Sequence, residues 1–116
     1  MDNNRQEVFN RLLKLIEKNP FGFTANKNGE KLNLKKGYAV SLTNNKAKNI
    51  NLLIENVLNL NEKLNFNIGG WFDKENLNYF LDLTIIEPSL IVAESIAKEF
   101  NQKAIFDFQN LTEIKV

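Results

Sequence analysis

Three stretches of the chain place apolar residues at the spacing of an amphipathic helix. In each stretch, apolar positions recur at intervals of three and four residues and so share one side of a helix. Pro20 favours an end to the first helix, and Pro88 suits the first turn of the third. The predicted helices are residues 3–18, 50–64 and 88–101. The third is expected to bury Val92, Ala93, Ile96, Ala97 and Phe100.

Between the helices, apolar and polar residues alternate as they do in half-buried strands. The dipeptide Asn28-Gly29 is a strong signal for a two-residue hairpin turn, because both residue types accept a positive φ. A register with Ala25 opposite Leu32 puts the apolar residues of both arms on one face. The sequence therefore predicts a hairpin over residues 21–34.

The remaining strands follow from the same alternation. Residues 66–72 and 78–86 are predicted strands, joined by a turn that begins at Asp73. Further strands are expected at 38–43, 103–108 and, at the edge, 111–116. This order predicts a single α+β domain over residues 1–116, with a mainly antiparallel sheet of five or six strands and three helices packed on it.

Two absences limit the chemistry of the chain: it has no His and no Cys. Disulfide scaffolds, zinc fingers, His-based acid–base catalysis and thiol nucleophiles are thereby excluded. The 15 basic and 14 acidic side chains give a formal charge of +1, which argues against a protein that coats nucleic acid. We expect no metal, no cofactor and no enzymatic activity.

The hydropathy pattern favours a cytoplasmic protein with no membrane partner. No stretch approaches the roughly 18 consecutive apolar residues of a membrane span, and the polar N-terminal segment has no apolar core of a secretory signal. The chain holds 20 Asn, and 13 Lys against 2 Arg. Because these biases follow A/T-rich codons, we interpret them as a property of the genome.

Four short motifs carry a resemblance: GYAVS at residues 37–41, GGWFD at 69–73, YFLDL at 79–83 and NQKAIFDF at 101–108. In this pattern the chain resembles short proteins encoded by bacteriophages and other mobile elements. The resemblance implies a counter-defence protein, similar to anti-CRISPR inhibitors, that binds and inhibits a host protein or ribonucleoprotein complex in a bacterial cell.

Large aromatic residues indicate where such a partner would bind. Trp71 and Phe72 are neighbours in one predicted strand and cannot share a face, while Phe80 points away from the face of Tyr79. At least one aromatic ring is therefore expected on the sheet face without helices, and aromatic residues are enriched at binding hot spots. The predicted surface for a partner, or for self-association, comprises Trp71, Phe72, Phe80, Asp73, Leu52 and Ile91.

A basic group of residues supports an alternative function. Lysines next to an exposed aromatic ring can hold single-stranded nucleic acid by charge and stacking. The alternative is a nucleic-acid-associated accessory protein, although a solvated rim of lysines is the simpler interpretation. Its residues are Lys35, Lys36, Tyr38, Lys46 and Lys48.

Three aspartates are the remaining candidates for chemistry. Asp73, Asp82 and Asp107 could in principle hold Mg²⁺ or act as acid and base, but no metal-binding spacing is present. We interpret Asp73 as a turn former. Asp82 and Asp107 are expected on the solvent side of their strands or paired with a lysine. Gly69-Gly70 indicates a bulge or a close-packing point rather than an anion site.

Overall fold

Three helices form where the apolar spacing predicts them, in a computed structural model that describes residues 3–116. Helix α1 spans Asn3–Lys18, α2 spans Ile50–Asn61 and α3 spans Leu90–Glu99. The third helix starts later than predicted, so Pro88 lies before it rather than in its first turn. Ser89 is the N-cap, and its side chain accepts a hydrogen bond from the Val92 N–H.

Six strands form one sheet in which every neighbouring pair is antiparallel. Strands β3 and β4 lie within one residue of their predicted bounds, because alternation is clearest there. The strand order is β1-β3-β4-β2-β5-β6, so the long β4 lies between β3 and β2. The strands are β1 (Gly22–Ala25), β2 (Tyr38–Ser41), β3 (Asn67–Asp73), β4 (Asn78–Glu87), β5 (Ala104–Asp107) and β6 (Thr112–Lys115).

The predicted hairpin at residues 21–34 is wrong in its second arm and in its register. Ala25 forms an isolated bridge with Lys31, one residue away from the expected Leu32, and β1 pairs instead with β3. The cause is Asn26, whose side-chain oxygen accepts hydrogen bonds from the Asn28 and Glu30 N–H groups and so stabilises a three-residue turn over residues 27–29 in place of the two-residue turn. A side-chain hydrogen bond therefore outcompetes the turn that the dipeptide favours.

All three helices cover the same face of the sheet, as predicted. Leu83 of β4 belongs to the core cluster under α1 and α2, and Val40 of β2 belongs to the cluster under α3. Val40 lies opposite Ile85, two residues from Leu83, so both clusters lie on one face. Within residues 3–116, the opposite face carries no helix.

Helix α3 buries less than its sequence suggests. Ala93 and Ala97 are fully buried, whereas Val92 and Phe100 are 43% and 42% exposed. Val92 lies about 100° around the helix from Ala93, and Phe100 is the C-cap residue beyond the last helical turn. Only the narrow alanine side of the helix rests on the sheet.

The sheet curls strongly toward its helix-free face, which we call the concave face. Strands β3 and β6 are separated by three strands, so in a flat sheet they would lie about 19 Å apart. Nevertheless the Trp71 indole N–H donates to the Glu113 carboxylate. Lys115 Nζ also lies 3.3 Å from Glu75 Oε1, at the tip of the β3–β4 hairpin. These contacts bring β6 over the concave face.

Gly70 provides a test of packing at the centre of the sheet. A Cβ atom there would meet the Phe23 ring at 2.4 Å and the Tyr79 hydroxyl oxygen at 2.7 Å. We expect Gly70→Ala to lower the free energy of unfolding by about 1–3 kcal/mol, as overpacking does. Urea titration monitored by Trp71 fluorescence measures this change.

The control is the same substitution beside a smaller side chain. In a Phe23→Leu background, Gly70→Ala is expected to cost at least about 1 kcal/mol less, because the clashing ring is gone. An equal cost in both backgrounds would contradict the packing explanation.

Candidate functional site

The aromatic residues predicted for partner binding divide between the two faces. Trp71 and Phe80 are cross-strand partners on the concave face, with ring centroids 5.6 Å apart. Phe72 lies on the helix face, opposite Tyr79. Trp71 and Phe80 are only partly exposed, and the Trp71 N–H is bound to Glu113. This pair therefore helps to hold the curl of the sheet.

Asp73 is a turn former, and that interpretation is confirmed. Its Oδ1 accepts a hydrogen bond from the Glu75 N–H at 3.0 Å, and its Oδ2 accepts one from the Asn76 side chain at 2.9 Å. The Asn76 side chain, the backbone N–H groups and Lys103 together hold the pKa of Asp73 below its usual value, although burial opposes them. The carboxylate is thus occupied within its own hairpin.

Asp107 repeats this arrangement in the β5–β6 hairpin, and its predicted exposed position is wrong. The carboxylate is buried and accepts hydrogen bonds from the Gln109 N–H and the Asn110 side chain. The hydrogen bond from Asn110 is the main reason that the pKa of Asp107 is lowered. Both hairpins have the sequence Asp-x-x-Asn-Leu, which explains why they fold alike.

Asp82 is also buried, contrary to the expectation of a solvent-facing position. It is 3% exposed, and its Oδ1 accepts hydrogen bonds from the Thr43 hydroxyl and the Asn45 N–H, both at 2.6 Å. Residues 42–46 lie along β4 and cover it, as the hydrogen bond from the Leu81 N–H to the Asn45 carbonyl requires. Burial raises the pKa of Asp82 to about 6, and the two hydrogen bonds only partly offset this rise.

Asp82 and Asp107 do not converge on a common site. Asp82 projects to the concave face, whereas Asp107 lies opposite Tyr38, which packs against the α3 cluster on the helix face. Within residues 3–116, no group of three or more acidic side chains could hold a metal ion. The proposed acid–base or Mg²⁺ pair therefore has no geometric support.

The residues of the nucleic-acid alternative are also separated. Tyr38 lies opposite Glu87 and Lys46 opposite Phe80, positions seven residues, or about 23 Å, apart along β4. Lys35 and Lys36 precede Tyr38, whereas Lys48 follows Lys46. The Tyr38 ring packs against the α3 cluster rather than standing free between the two lysine pairs.

The outer sides of the helices are unusually apolar. Leu52 and Ile91, both predicted to lie on the partner surface, are 50% and 82% exposed. Ile50 is also exposed, because it is the first residue of its helix. Seven of the ten exposed large apolar side chains among the described residues lie on α2 or α3 or within three residues of them: Ile50, Leu52, Leu60, Leu64, Ile91, Val92 and Phe100.

On the helix side of the molecule, an open groove of about 810 Å³ lies between α1 and the start of α2, and we call it the α1–α2 groove. Leu13, Ile50 and Leu52 supply apolar walls, and Lys48 and Glu55 are its charged residues. Glu55 is paired with Arg5 at 3.0 Å, whereas Lys48 makes no ion pair with any described residue. Sequence reasoning missed this site because it depends on the packing of α1 beside α2.

Comparisons with protein-family models, curated proteins and solved structures found no match for this chain. Among residues 3–116, none of the helices is long and apolar enough to cross a membrane. The molecule is therefore classed by its architecture, a single α+β domain with a curled six-stranded antiparallel sheet.

The buried Asp82 predicts an unusual dependence of stability on pH. Its pKa is raised from 3.8 to about 6, so the folded state holds the proton more tightly than the unfolded state. Protonated Asp82 therefore contributes roughly 3 kcal/mol to the free energy of unfolding below about pH 4, and this contribution is lost as the pH rises through about 6. We expect Asp82→Asn, which keeps an acceptor oxygen, to abolish this loss in urea titrations between pH 4 and 7.

Asp107→Asn is the matched control. The pKa of Asp107 is lowered, so its contribution is present above about pH 4 and is lost only as pH falls further. This variant should keep the decrease in stability between pH 4 and 6. A profile for Asp82→Asn that runs parallel to the wild type would contradict the assignment.

Proposed function

We propose that this protein is a non-enzymatic binding protein. The sides of the helices that face away from the sheet form a surface, which we call the outer helix surface, and this surface docks an apolar segment of a protein partner at the α1–α2 groove. The observation that carries the proposal is the exposure of Ile50 and Leu52 on the walls of this groove. Contiguous apolar surface of this kind typically marks an interaction site. Covering the two half-exposed side chains would contribute on the order of 1 kcal/mol each.

The charges at the groove specify the partner further. Because Glu55 is already paired with Arg5, Lys48 is the cation left to meet a partner. A charge at the rim of an apolar site contributes orientation and association rate more than affinity. The expected ligand is therefore an apolar segment flanked by an acidic residue.

The other candidate surfaces support this choice by being occupied. Trp71 and Phe80 pack on each other, with Trp71 also bound to Glu113. The carboxylates of Asp73 and Asp82 accept hydrogen bonds from their own neighbourhood. On the helix side, by contrast, the apolar side chains of Ile50 and Leu52 remain exposed.

The resemblance to short phage and mobile-element proteins supplies the biological setting. We propose that the partner is a host defence protein or a ribonucleoprotein complex, which the bound protein inhibits by occluding a functional surface. Expression in bacteria with a defined set of defence systems should then restore plaque formation by a phage that one system restricts. Unchanged restriction by every system in the set would contradict the counter-defence setting.

Single apolar-to-charged substitutions test the surface. We expect Leu52→Asp and Ile50→Asp, two exposed residues of the groove walls, to weaken partner binding at least tenfold, which corresponds to about 1.4 kcal/mol, because a carboxylate would have to be desolvated. Isothermal titration calorimetry against the purified target, identified through the restored plaques, measures the affinity. Both variants should keep wild-type stability, since these side chains are exposed.

Leu111→Asp is the matched control, because Leu111 is 73% exposed but lies at the tip of the β5–β6 hairpin. Its affinity should equal that of the wild type. Equal losses in all three variants would indicate a general effect of charge. Binding to single-stranded nucleic acid that salt abolishes and Leu52→Asp leaves intact would favour the alternative function.

A further inference from the structure

Strand β6 leaves one edge of the sheet open. The hydrogen bond from the Val116 N–H to the Lys103 carbonyl, at 2.9 Å, sets the phase of the β5–β6 ladder. Since hydrogen-bonded pairs alternate in an antiparallel ladder, the N–H and C=O groups of Ile114 also point toward β5, and those of Glu113 and Lys115 point away. These outward groups meet no strand of the described chain, because β6 is last in the sheet order.

The opposite edge of the sheet is partly covered. Beyond β1, the Leu32 N–H donates to the Thr24 carbonyl and Ala25 bridges Lys31. The chain therefore protects its β1 edge with its own residues. Unpaired edges attract other strands, so β6 is the edge available for pairing.

We propose that two copies of this chain associate through β6, paired antiparallel so that Ile114 of each copy faces Ile114 of the other. In this two-fold register, Glu113 of one copy lies opposite Lys115 of the second copy, and the reverse holds at the other end. These are the residues whose backbone groups point outward, so each pair forms two backbone hydrogen bonds. The same pairs place opposite charges side by side.

Neighbouring registers lack this complementarity. A shift by one residue places the outward groups of Glu113 against a residue whose groups point inward, so the ladder cannot form. A shift by two residues restores the hydrogen-bond phase but sets Glu113 against Glu113, or Lys115 against Lys115. Only the register centred on Ile114 combines outward backbone groups with opposite charges.

The helix-face side of this junction is apolar. Ile114 and Val116 are partly buried and pack against the α3 cluster. In the proposed register the two Ile114 side chains are cross-strand neighbours, so the α3 clusters of the two copies would meet across the junction. Charged residues on an edge strand disfavour pairing with most other strands. The alternating Glu113 and Lys115 of β6, however, are complementary to the same residues of a second copy.

Charge exchange tests the register. Analytical ultracentrifugation over a range of concentrations should show that the wild-type protein is a dimer in equilibrium with monomer. Lys115→Glu alone, or Glu113→Lys alone, places like charges opposite each other and should raise the dimer dissociation constant at least tenfold. The double variant Glu113→Lys/Lys115→Glu restores opposite charges and should recover dimerisation.

Further variants separate pairing from folding, because Lys115 also contacts Glu75 and Glu113 accepts the Trp71 N–H. Glu75→Gln removes the internal partner of Lys115 and should leave the dimer unchanged. Lys115→Pro removes an outward N–H without breaking the β5–β6 ladder and should give a folded monomer, as judged by Trp71 fluorescence.

A wild-type protein that stays monomeric up to about 1 mM overturns the proposal, because its dimer dissociation constant would then be too high for specific association. A double variant as monomeric as the single variants overturns the register. Leu52→Asp should leave dimerisation intact, so the outcome is independent of the proposed partner site.

Discussion

The burial of β4 on both of its faces is the constraint on which the rest of the structure depends. Residues 81–84 are all buried: Leu81 and Leu83 lie under α1 and α2, while Asp82 and Thr84 lie on the concave face. A strand this crowded tolerates only small neighbours, and β3 supplies Gly69 and Gly70 beside it. A Cβ on Gly69 would lie 2.5 Å from the Thr84 hydroxyl oxygen. Gly69 on the concave face and Gly70 on the helix face thus allow the side chains of β1 and β4 to pack closely over β3.

The other side of β4 is completed by an irregular segment rather than by a full strand. Strand β2 ends at Ser41, and beyond it the Thr43 hydroxyl accepts a hydrogen bond from the Leu83 N–H while donating to Asp82. The Asn45 side chain continues the arrangement by donating to the carbonyls of Leu81 and Leu53. Side-chain hydrogen bonds therefore replace the β2–β4 backbone pairs that are missing beyond Ser41, and they connect β4 to α2. The cost is a carboxylate in a buried position, which explains why the pKa of Asp82 is raised.

The elements that the sequence predicted well are those governed by local periodicity. Strands β3 and β4 alternate regularly and are joined by a turn whose Asp73 cap is visible in the sequence, so their bounds were predicted within one residue. Contacts between distant segments were not predictable in the same way. The burial of Asp82 depends on residues about 40 positions away, and the groove beside Leu52 depends on how α1 meets α2. The curl that brings Trp71 to Glu113 has no local signature either.

Three of the asparagines have a structural use that the composition alone does not reveal. Asn61 is buried, and its amide both donates to the Phe66 carbonyl and accepts from the Phe66 N–H, like one rung of a sheet. Asn26 closes the turn after β1, and Asn49 caps α2. An aspartate could accept but not donate at Asn61, and an alanine could do neither, so a short amide fits where a helix or strand meets irregular chain. At these three positions asparagine therefore satisfies backbone atoms that regular structure leaves without a partner.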